Sequence, residues 1–235
     1  SWSSVLIKWK KNSLIIVSGA SGGLGEVIVK ELAKKSKILA IFNKNKPKVF
    51  HKNIEFLKLD LSKKFKLNKK FFANKKIIFL NLASVKIDKL MINLSISEWE
   101  KAYQVNVHSF FKLLNMFLPE MIKIKYGKII IFSSTDGHQG DIGTSSYTST
   151  KHSLHGLSKV ISKEYGARGI TSNVLLLGNY NYGLYKKLNK KKQKKLLEKV
   201  PLKKTGNIKN ILNAIEFLIK SDYVNGSEIK IDGGI

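Results

Sequence analysis

The chain contains no cysteine, only three prolines and a single arginine, Arg168. The absence of cysteine excludes disulfide bonds, thiolate metal sites and a cysteine nucleophile. No run of about 18 apolar residues occurs, so the sequence offers no candidate for a transmembrane helix. With 235 residues, 43% of them hydrophobic, the chain is long enough for one α/β domain with a sizeable core. We therefore predict a single domain over residues 1–235 in a cytoplasmic protein.

Acidic residues are also scarce, 16 against 43 basic residues, which gives a formal net charge of +27. The basic residues other than Arg168 are lysines, spread along the chain and accompanied by many asparagines and isoleucines, residues with AT-rich codons. A nucleic-acid-binding surface usually includes arginine, whose planar guanidinium contacts phosphates and bases in a bidentate manner. Codon bias therefore explains the lysines better than nucleic-acid binding does, although the resulting field would still attract acidic partners.

Short apolar runs alternate with longer segments of helical periodicity. Strands are predicted at Leu14–Val17, Lys37–Phe42, Ile54–Leu57, Ile77–Leu80, Lys128–Phe132, Ser172–Leu177 and Ile229–Ile231. Helices are predicted at Leu24–Lys35, Ser97–Ile124, Thr148–Tyr165, Lys187–Lys199 and Ile208–Ile219, with Ser97 and Glu100 as a capping box. The alternation predicts an α/β, doubly wound Rossmann fold, with a central parallel sheet of about seven strands and helices on both faces. Ligands of such sheets bind beyond the carboxyl ends of the strands.

The first predicted strand runs directly into a glycine-rich loop, Ser18-Gly-Ala-Ser-Gly-Gly-Leu-Gly25, and a helix follows. Glycines permit a tight turn and let backbone N–H groups approach a pyrophosphate at the positive end of a helix. This order of strand, loop and helix predicts a dinucleotide site. The cofactor-binding residues predicted in the loop are Gly19, Ser21, Gly22, Gly23, Leu24 and Gly25.

The end of the second predicted strand, Phe42-Asn-Lys-Asn-Lys46, contains no carboxylate. Enzymes that select NAD usually carry an acidic residue there, which bonds the ribose hydroxyls. Asn43 and Lys44 are instead suited to the additional phosphate of NADP. We therefore predict NADP(H) as the cofactor in preference to NAD(H).

Tyr147 and Lys151 are four residues apart, a spacing that places two side chains on one face of a helix. A phenol is a poor acid near neutral pH because its ordinary pKa is about 10. A neighbouring ammonium lowers that pKa by stabilising the phenolate. Tyr147 is therefore a candidate to donate a proton to a substrate carbonyl oxygen.

The spacing Gly19-x-x-x-Gly23-x-Gly25, together with Tyr147-x-x-x-Lys151, resembles the short-chain dehydrogenase/reductase family, and the resemblance extends over almost the whole chain. It implies that Ser134 orients the substrate and that Asn106 completes a proton relay. The further cofactor-binding residues that it implies are Asp60, Leu61, Asn81, Ala83, Tyr147, Lys151 and Gly178.

The chain departs from the family pattern at three places that border the cofactor: Asn81-Leu-Ala-Ser84, Leu177-Gly178 and the neighbourhood of Tyr182. These changes bear on cofactor affinity and loop geometry. They leave the four candidate catalytic residues intact.

Two segments, Asp88–Trp99 and Val224–Gly234, are similar to those of the 3-oxoacyl-[acyl-carrier-protein] reductases within that family. The resemblance implies a carbonyl substrate presented by a small acidic acyl carrier protein. It also implies that Lys125 and Arg168 contact that carrier near the active-site entrance, and that the chain assembles as a homotetramer or dimer.

Two other functions stay open at this point. The same catalytic residues serve dehydrogenases of sugars and other small polar carbonyls, for instance in surface-glycan synthesis, and a non-catalytic nucleotide- or nucleic-acid-binding protein is a further alternative. His138, His152 and His155 have no carboxylate or cysteine at metal-ligand spacing in the sequence, so we assign them packing or surface roles and predict no metal site.

Overall fold

The structure of the protein is a computed structural model, which describes residues 12–186 and 188–235. Its seven strands form one sheet in which every neighbouring pair is parallel. The strands are β1 (Ser13–Ser18), β2 (Lys37–Phe42), β3 (Ile54–Lys58), β4 (Lys76–Asn81), β5 (Gly127–Ser134), β6 (Ile170–Leu177) and β7 (Glu228–Ile231). The seven predicted strands are thus confirmed, each to within two residues at either end.

The spatial order of the strands is β3-β2-β1-β4-β5-β6-β7. The chain runs outward from β1 to β3 and then returns to place β4 on the other side of β1. Connections on the two sides of this point diverge, which opens a crevice at the carboxyl ends of β1 and β4. The fold therefore places a ligand site beside the glycine-rich loop.

Eight α-helices connect these strands in the described part of the chain. They are α1 (Gly23–Ala33), α2 (Ile96–Tyr103), α3 (Ser109–Ile124), α4 (Thr135–Gln139), α5 (Ser145–Tyr165), α6 (Gly183–Lys186), α7 (Lys190–Glu198) and α8 (Ile208–Lys220). None of the helices in the described ranges is long and apolar enough to cross a membrane.

Helices cover both faces of the sheet, as the doubly wound fold requires. On one face α1 and α8 pack with alternate strand residues such as Ile15 and Val17, whereas Leu14 and Ile16 point to α3 and α5 on the other face. Because β1, β2, β4, β5 and β6 are buried on both faces, their sequences are continuous apolar runs rather than alternating ones. The Rossmann prediction is confirmed.

The long helix predicted at Ser97–Ile124 is interrupted by a π-helical turn. Residues Gln104–His108 form this turn between α2 and α3, and Asn106 lies buried within it. Such π turns in α-helices frequently mark functional sites. From within this turn Asn106 is hydrogen-bonded to the loop after β4 and to α5.

The predicted capping box at Ser97 and Glu100 is wrong, because the box lies two residues earlier. The Ser95 hydroxyl accepts from the Glu98 backbone N–H, and the Glu98 carboxylate accepts from the Ser95 backbone N–H. Both pairs have the required spacing, so the sequence pattern does not separate them. The extended backbone of Ser95 decides the start of α2.

Two short helices, α4 and α6, were not predicted because neither is long enough to show helical periodicity. The helix predicted at Lys187–Lys199 begins at Lys190, where Asn189 caps it, and Lys187 itself lies outside the described residues. Residues 1–11, which the single-domain prediction includes, also lie outside the described part.

Candidate active site

The glycine-rich loop follows β1 and lies against the end of β4. Gly19 has a left-handed φ of 77°, and a Cβ there would be 2.6 Å from the backbone nitrogen of Ala83. A Cβ at Gly25 would be 2.3 Å from the Gly19 carbonyl oxygen. The loop can therefore fold this tightly only with glycine at both positions.

The loop ends at the N-terminus of α1, where Gly22 is the N-cap and no side chain of the described residues caps the helix. The N–H groups of the first turn thus keep their capacity to donate to an anion, at the positive end of the helix dipole. Ser21 and Leu24 are half-buried beside them, and Gly22 and Gly23 are exposed. These features fit the pyrophosphate of a dinucleotide.

The segment after β6 lies directly over this helix start. A Cβ at Gly23 would be 2.7 Å from the backbone nitrogen of Gly183 in α6. Further back in the segment, Gly178 packs against β7, since a Cβ there would be 2.6 Å from Cα of Asp232. Tyr180 donates to the Ile231 carbonyl at 3.0 Å, and burial, followed by the charge of Asp232, raises the pKa of Tyr180 to about 12.

Asn43, Lys44 and Asp60 come together at the ends of β2 and β3. The Asn43 amide donates to Asp60 Oδ1 over 3.5 Å, while Leu61 is buried beneath. Hydrogen bonds from the hydroxyl and backbone N–H of Ser62 hold the pKa of Asp60 below its usual value, and the charge of Lys44 contributes. The predicted cofactor-binding residues Asn43, Lys44 and Asp60 are therefore neighbours, and Lys44 is exposed at the end of β2.

Asn81 closes β4 and is buried against the glycine-rich loop. It accepts a hydrogen bond of 2.7 Å from the Ser18 hydroxyl, and Ser18 Oγ in turn lies 3.4 Å from the Ala83 backbone nitrogen. From the sequence, Ser18 was recognisable only as the first residue of the glycine-rich loop. The structure shows that it joins the ends of β1 and β4.

Ser134, the last residue of β5, faces Tyr147, which lies in the first turn of α5. The Tyr147 hydroxyl lies 3.4 Å from Ser134 Oγ, which also accepts a 3.0 Å hydrogen bond from the Gly137 backbone N–H. Gly137 belongs to α4, and a Cβ there would be 2.8 Å from Cγ of Lys151. The short helix therefore fits closely over both Ser134 and Lys151.

Lys151 is buried, and its Nζ donates to the Phe132 carbonyl oxygen at 2.8 Å. Its ammonium is 5.4 Å from the centroid of the Tyr147 ring. A second cation, which the sequence pattern did not reveal, is Lys86, whose Nζ lies 5.6 Å from the centroid of the same ring. The one feature of the sequence that could have pointed to Lys86 is its position two residues after Asn81-Leu-Ala-Ser84, a segment that departs from the family pattern.

Asn106 connects the π turn to the loop after β4 and to α5. Its Oδ1 accepts from the Val85 N–H at 2.8 Å, and its Nδ2 donates to the Val85 carbonyl at 3.0 Å and to Thr150 Oγ1 at 3.0 Å. Among the described residues, the hydrogen bonds of Asn106 thus run to Val85 and Thr150 rather than to Ser134 or Tyr147. The four predicted catalytic residues nevertheless converge on one region at the carboxyl ends of β4 and β5.

Lys125 and Arg168 are both exposed and lie close together, on the turns before β5 and β6. The Gly127 N–H donates to the Gly169 carbonyl, which joins the two turns. These turns stand at the amino ends of the strands, whereas Ser134 stands at a carboxyl end. The expectation that the two residues flank the entrance to the active site is therefore not met within one chain.

Comparison with known proteins agrees with this geometry. The sequence pattern of the family described as short chain dehydrogenase matches residues 13–193. The 3-oxoacyl-[acyl-carrier-protein] reductase of Buchnera aphidicola subsp. Baizongia pistaciae is 32% identical over 236 residues, which cover 94% of this chain and 96% of that protein. The reductase of the same name from Rickettsia felis is 29% identical over 229 residues, with coverage of 94% and 95%.

Among solved structures, a 4-hydroxyisoleucine dehydrogenase complexed with NADH superposes with a TM-score of 0.81 over 95% of this chain and 98% of that one. At 24% sequence identity, this similarity supports the fold. The matched family pattern spans the glycine-rich loop and all four candidate catalytic residues. The chain belongs to the short-chain dehydrogenase family and is an NAD(P)-dependent oxidoreductase.

Proposed function

We propose that the protein reduces the carbonyl of a 3-oxoacyl thioester carried on an acyl carrier protein, with NADPH as the preferred cofactor. The observation that carries this proposal is the juxtaposition of the Tyr147 hydroxyl and Ser134 Oγ, 3.4 Å apart and next to the Lys151 ammonium. Similarity to 3-oxoacyl-[acyl-carrier-protein] reductases over 94% of the chain supports the substrate class.

In the proposed reaction a substrate carbonyl oxygen lies between the two hydroxyl groups. Ser134 holds this oxygen by a hydrogen bond, and Tyr147 donates the proton that the developing alkoxide requires. The Lys151 ammonium, 5.4 Å from the centre of the Tyr147 ring, stabilises the phenolate that Tyr147 leaves behind. When bound, the reduced nicotinamide supplies the hydride that the carbonyl carbon accepts.

The surroundings of the site favour an acyl chain over a sugar. Residues 90–92, after β4, are exposed apolar residues, as is Ile142 after α4. The two loops are adjacent, because the Lys89 N–H donates to the Gly143 carbonyl at 2.9 Å. An exposed apolar rim of this kind gains from covering an aliphatic chain, whereas it offers a sugar no hydrogen bonds.

The cofactor preference rests on Lys44, which is exposed at the end of β2 beside Asn43. A 2′-phosphate there would gain a cation without meeting a carboxylate on the same strand end. Replacing Lys44 with Asp should shift the preference toward NADH, measured as the ratio of kcat/KM for the two cofactors. An unchanged ratio would place phosphate recognition at other residues.

The proposed carrier is acidic, and a chain with a net charge of +27 attracts it at long range. Lys125 and Arg168 lie at the amino ends of β5 and β6. They can contact the carrier only where the active site of another subunit lies next to these turns. Phe111 on α3 and Val160 on α5 are exposed apolar residues that support pairing of these helices between subunits. We therefore include a homotetramer, or a dimer, in the proposal.

The decisive experiment follows the loss of NADPH absorbance with acetoacetyl-acyl carrier protein as substrate, at low and high salt. We expect turnover whose KM rises with salt, because charge complementarity governs encounter with the carrier. Tyr147→Phe should abolish turnover and leave NADPH binding nearly intact. Turnover of a sugar carbonyl but of no 3-oxoacyl thioester would refute the substrate class, and retained activity in Tyr147→Phe would refute the proton donor.

A further inference from the structure

Three of the five histidines of the chain lie together next to the end of β5. His138 is on α4, and His152 and His155 are on α5. The ring centroids are 5.7 Å apart in each of the three pairs, and the planes lie within 24° of parallel.

Glu228, the first residue of β7, supplies the carboxylate that the sequence spacing did not reveal. Its Oε2 is 3.2 Å from Nδ1 of His155 and 3.9 Å from Nδ1 of His138. One ligand atom from each of His138, His155 and Glu228 lies within 4.8 Å of the others. We refer to these three residues, with His152, as the histidine cluster.

Two imidazole nitrogens of the cluster are candidate metal ligands. His138 Nδ1 is buried and has no hydrogen-bond partner among the described residues. His155 Nδ1 is 3.2 Å from Glu228 Oε2, to which it can donate a proton when no metal is bound. A metal would take the place of that proton, with His155 Nε2–H donating to the hydroxyl of buried Ser133 over 2.9 Å. A second hydrogen bond of this kind orients a metal-binding imidazole in most metalloproteins.

We propose that His138, His155 and Glu228 bind one divalent transition-metal ion of the zinc class. Tetrahedral zinc, with nitrogen and oxygen ligands about 2.0–2.2 Å from the metal, needs ligand atoms about 3.4 Å apart. The ligand atoms now lie within 4.8 Å of one another, so metal binding would draw them together by small side-chain movements. Two imidazoles and one carboxylate suit zinc, whereas calcium and magnesium require more oxygen ligands.

The fourth position would be taken by water, or by His152 after a side-chain movement, because only His138, His155 and Glu228 have ligand atoms within 4.8 Å of one another. His152 Nδ1 is 3.1 Å from the Thr148 carbonyl, to which it can only donate, so the lone pair of the neutral ring is on Nε2. Lys159 binds the other oxygen of Glu228, with Nζ 3.0 Å from Oε1, and leaves Oε2 for the ion. The site is therefore able to accept the metal without breaking that ion pair.

The ion would join three elements behind the active site: α4, α5 and the start of β7. Its ligand His138 lies one residue after Gly137, whose N–H donates to Ser134 Oγ. His155 contacts Ser133, the neighbour of Ser134. The metal would therefore position α4 over Ser134, and its ligands would be positioning residues that do not touch the substrate.

The test uses the full chain without a polyhistidine tag, treated with EDTA, loaded with excess zinc and dialysed. We expect about one zinc per chain by elemental analysis, and a melting temperature that rises on zinc addition and falls again with EDTA. His138→Gln and Glu228→Gln should each weaken zinc binding by more than the roughly 10–100-fold that loss of an outer-sphere partner costs. His51→Gln, which alters a histidine before β3, is the matched control and should bind zinc as the wild type does.

Glu228→Gln keeps the shape of the side chain, and His138 is only half-buried, so both variants should fold; circular dichroism verifies this. Wild-type levels of zinc in both variants would overturn the proposal, as would less than a third of an equivalent in the wild type. Loss of zinc binding in His51→Gln to the same extent would also overturn it. The zinc measurement does not depend on turnover, so its outcome is independent of the proposed reductase activity.

Discussion

Asn106 and Thr150 are joined by a hydrogen bond of 3.0 Å, from Nδ2 of the π turn to Oγ1 in α5. The same hydroxyl donates to the Tyr147 carbonyl at 2.8 Å. Asn106 is tied in turn to both backbone groups of Val85, so the loop after β4 and the first turn of α5 are held in one arrangement. The π turn thus reaches Tyr147 through Thr150 rather than by direct contact.

This link predicts that Thr150→Val lowers kcat about tenfold, because it leaves one buried amide donor without a partner, a loss of about 1–3 kcal/mol. The KM for NADPH should change little, since Thr150 lies away from the glycine-rich loop. Thr150→Ser retains the hydroxyl and should restore activity, measured by steady-state kinetics. Equal activity in the wild type and Thr150→Val would show that the link does not position Tyr147.

Gly137→Ala should reduce kcat by roughly 100-fold, because misplacement of a catalytic group by about 1 Å has that effect. The new Cβ would lie 2.8 Å from Cγ of Lys151, whose side chain is buried and cannot move aside freely. Gly156→Ala is the matched control in the interior of α5, where a Cβ meets no described atom within 4 Å. It should stabilise the protein by about 0.5–1 kcal/mol and leave kcat unchanged; equal kinetics in the two variants would contradict this assignment.

Lys128 in β5 is buried and forms an ion pair with exposed Asp222. We therefore expect the loss of stability to depend on which of the two partners is replaced. The Lys128 side chain is 2% exposed and reaches Asp222, which is 73% exposed, at 2.8 Å, and the Ser221 carbonyl at 2.9 Å. Asp222→Ala leaves a buried ammonium poorly compensated and should cost about 1–3 kcal/mol of stability. Lys128→Met leaves an aspartate that water solvates and should cost less; chemical denaturation of both variants measures the order, and the reverse order would contradict the argument.

The capping box at the start of α2 predicts a specific acid sensitivity. Hydrogen bonds lower the pKa of Glu98 to about 2, below the 4.5 of an unperturbed glutamate. The bond from Lys89 has the largest effect, and the bond from the Ser95 backbone adds to it. Because the folded-state pKa is the lower one, the stabilisation is present above pH 4.5 and is lost as the pH falls toward 2. Glu98→Gln keeps the capping box without the titration.

We therefore expect the wild type to melt above Glu98→Gln at neutral pH, and the difference to shrink as the pH falls below 4.5 and to vanish only near pH 2, as measured by thermal unfolding across this range. A difference that stays constant with pH would show that the charge of Glu98 contributes nothing to the stability of the fold.

The features that the sequence predicted well are local ones. The seven strands, the glycine-rich loop and the pairing of Tyr147 with Lys151 depend on residues that are neighbours along the chain, and periodicity records such neighbours directly. The N-cap of α2 was predicted two residues late, at Ser97 instead of Ser95, because two serine–glutamate pairs satisfied the same local rule.

The relationships that the sequence did not reveal join residues distant along the chain. Ser18 with Asn81, Lys86 over Tyr147, and Glu228 beside His155 are contacts that exist only because the sheet order brings separate strand ends together. Lys125 and Arg168 were assigned by family resemblance, yet the tertiary structure places them at the amino ends of β5 and β6, away from Ser134. The sequence by itself determined the elements and the chemical groups of the site. Only the tertiary structure decided which groups meet, because side-chain contacts between strands depend on strand order and packing, which local patterns do not encode.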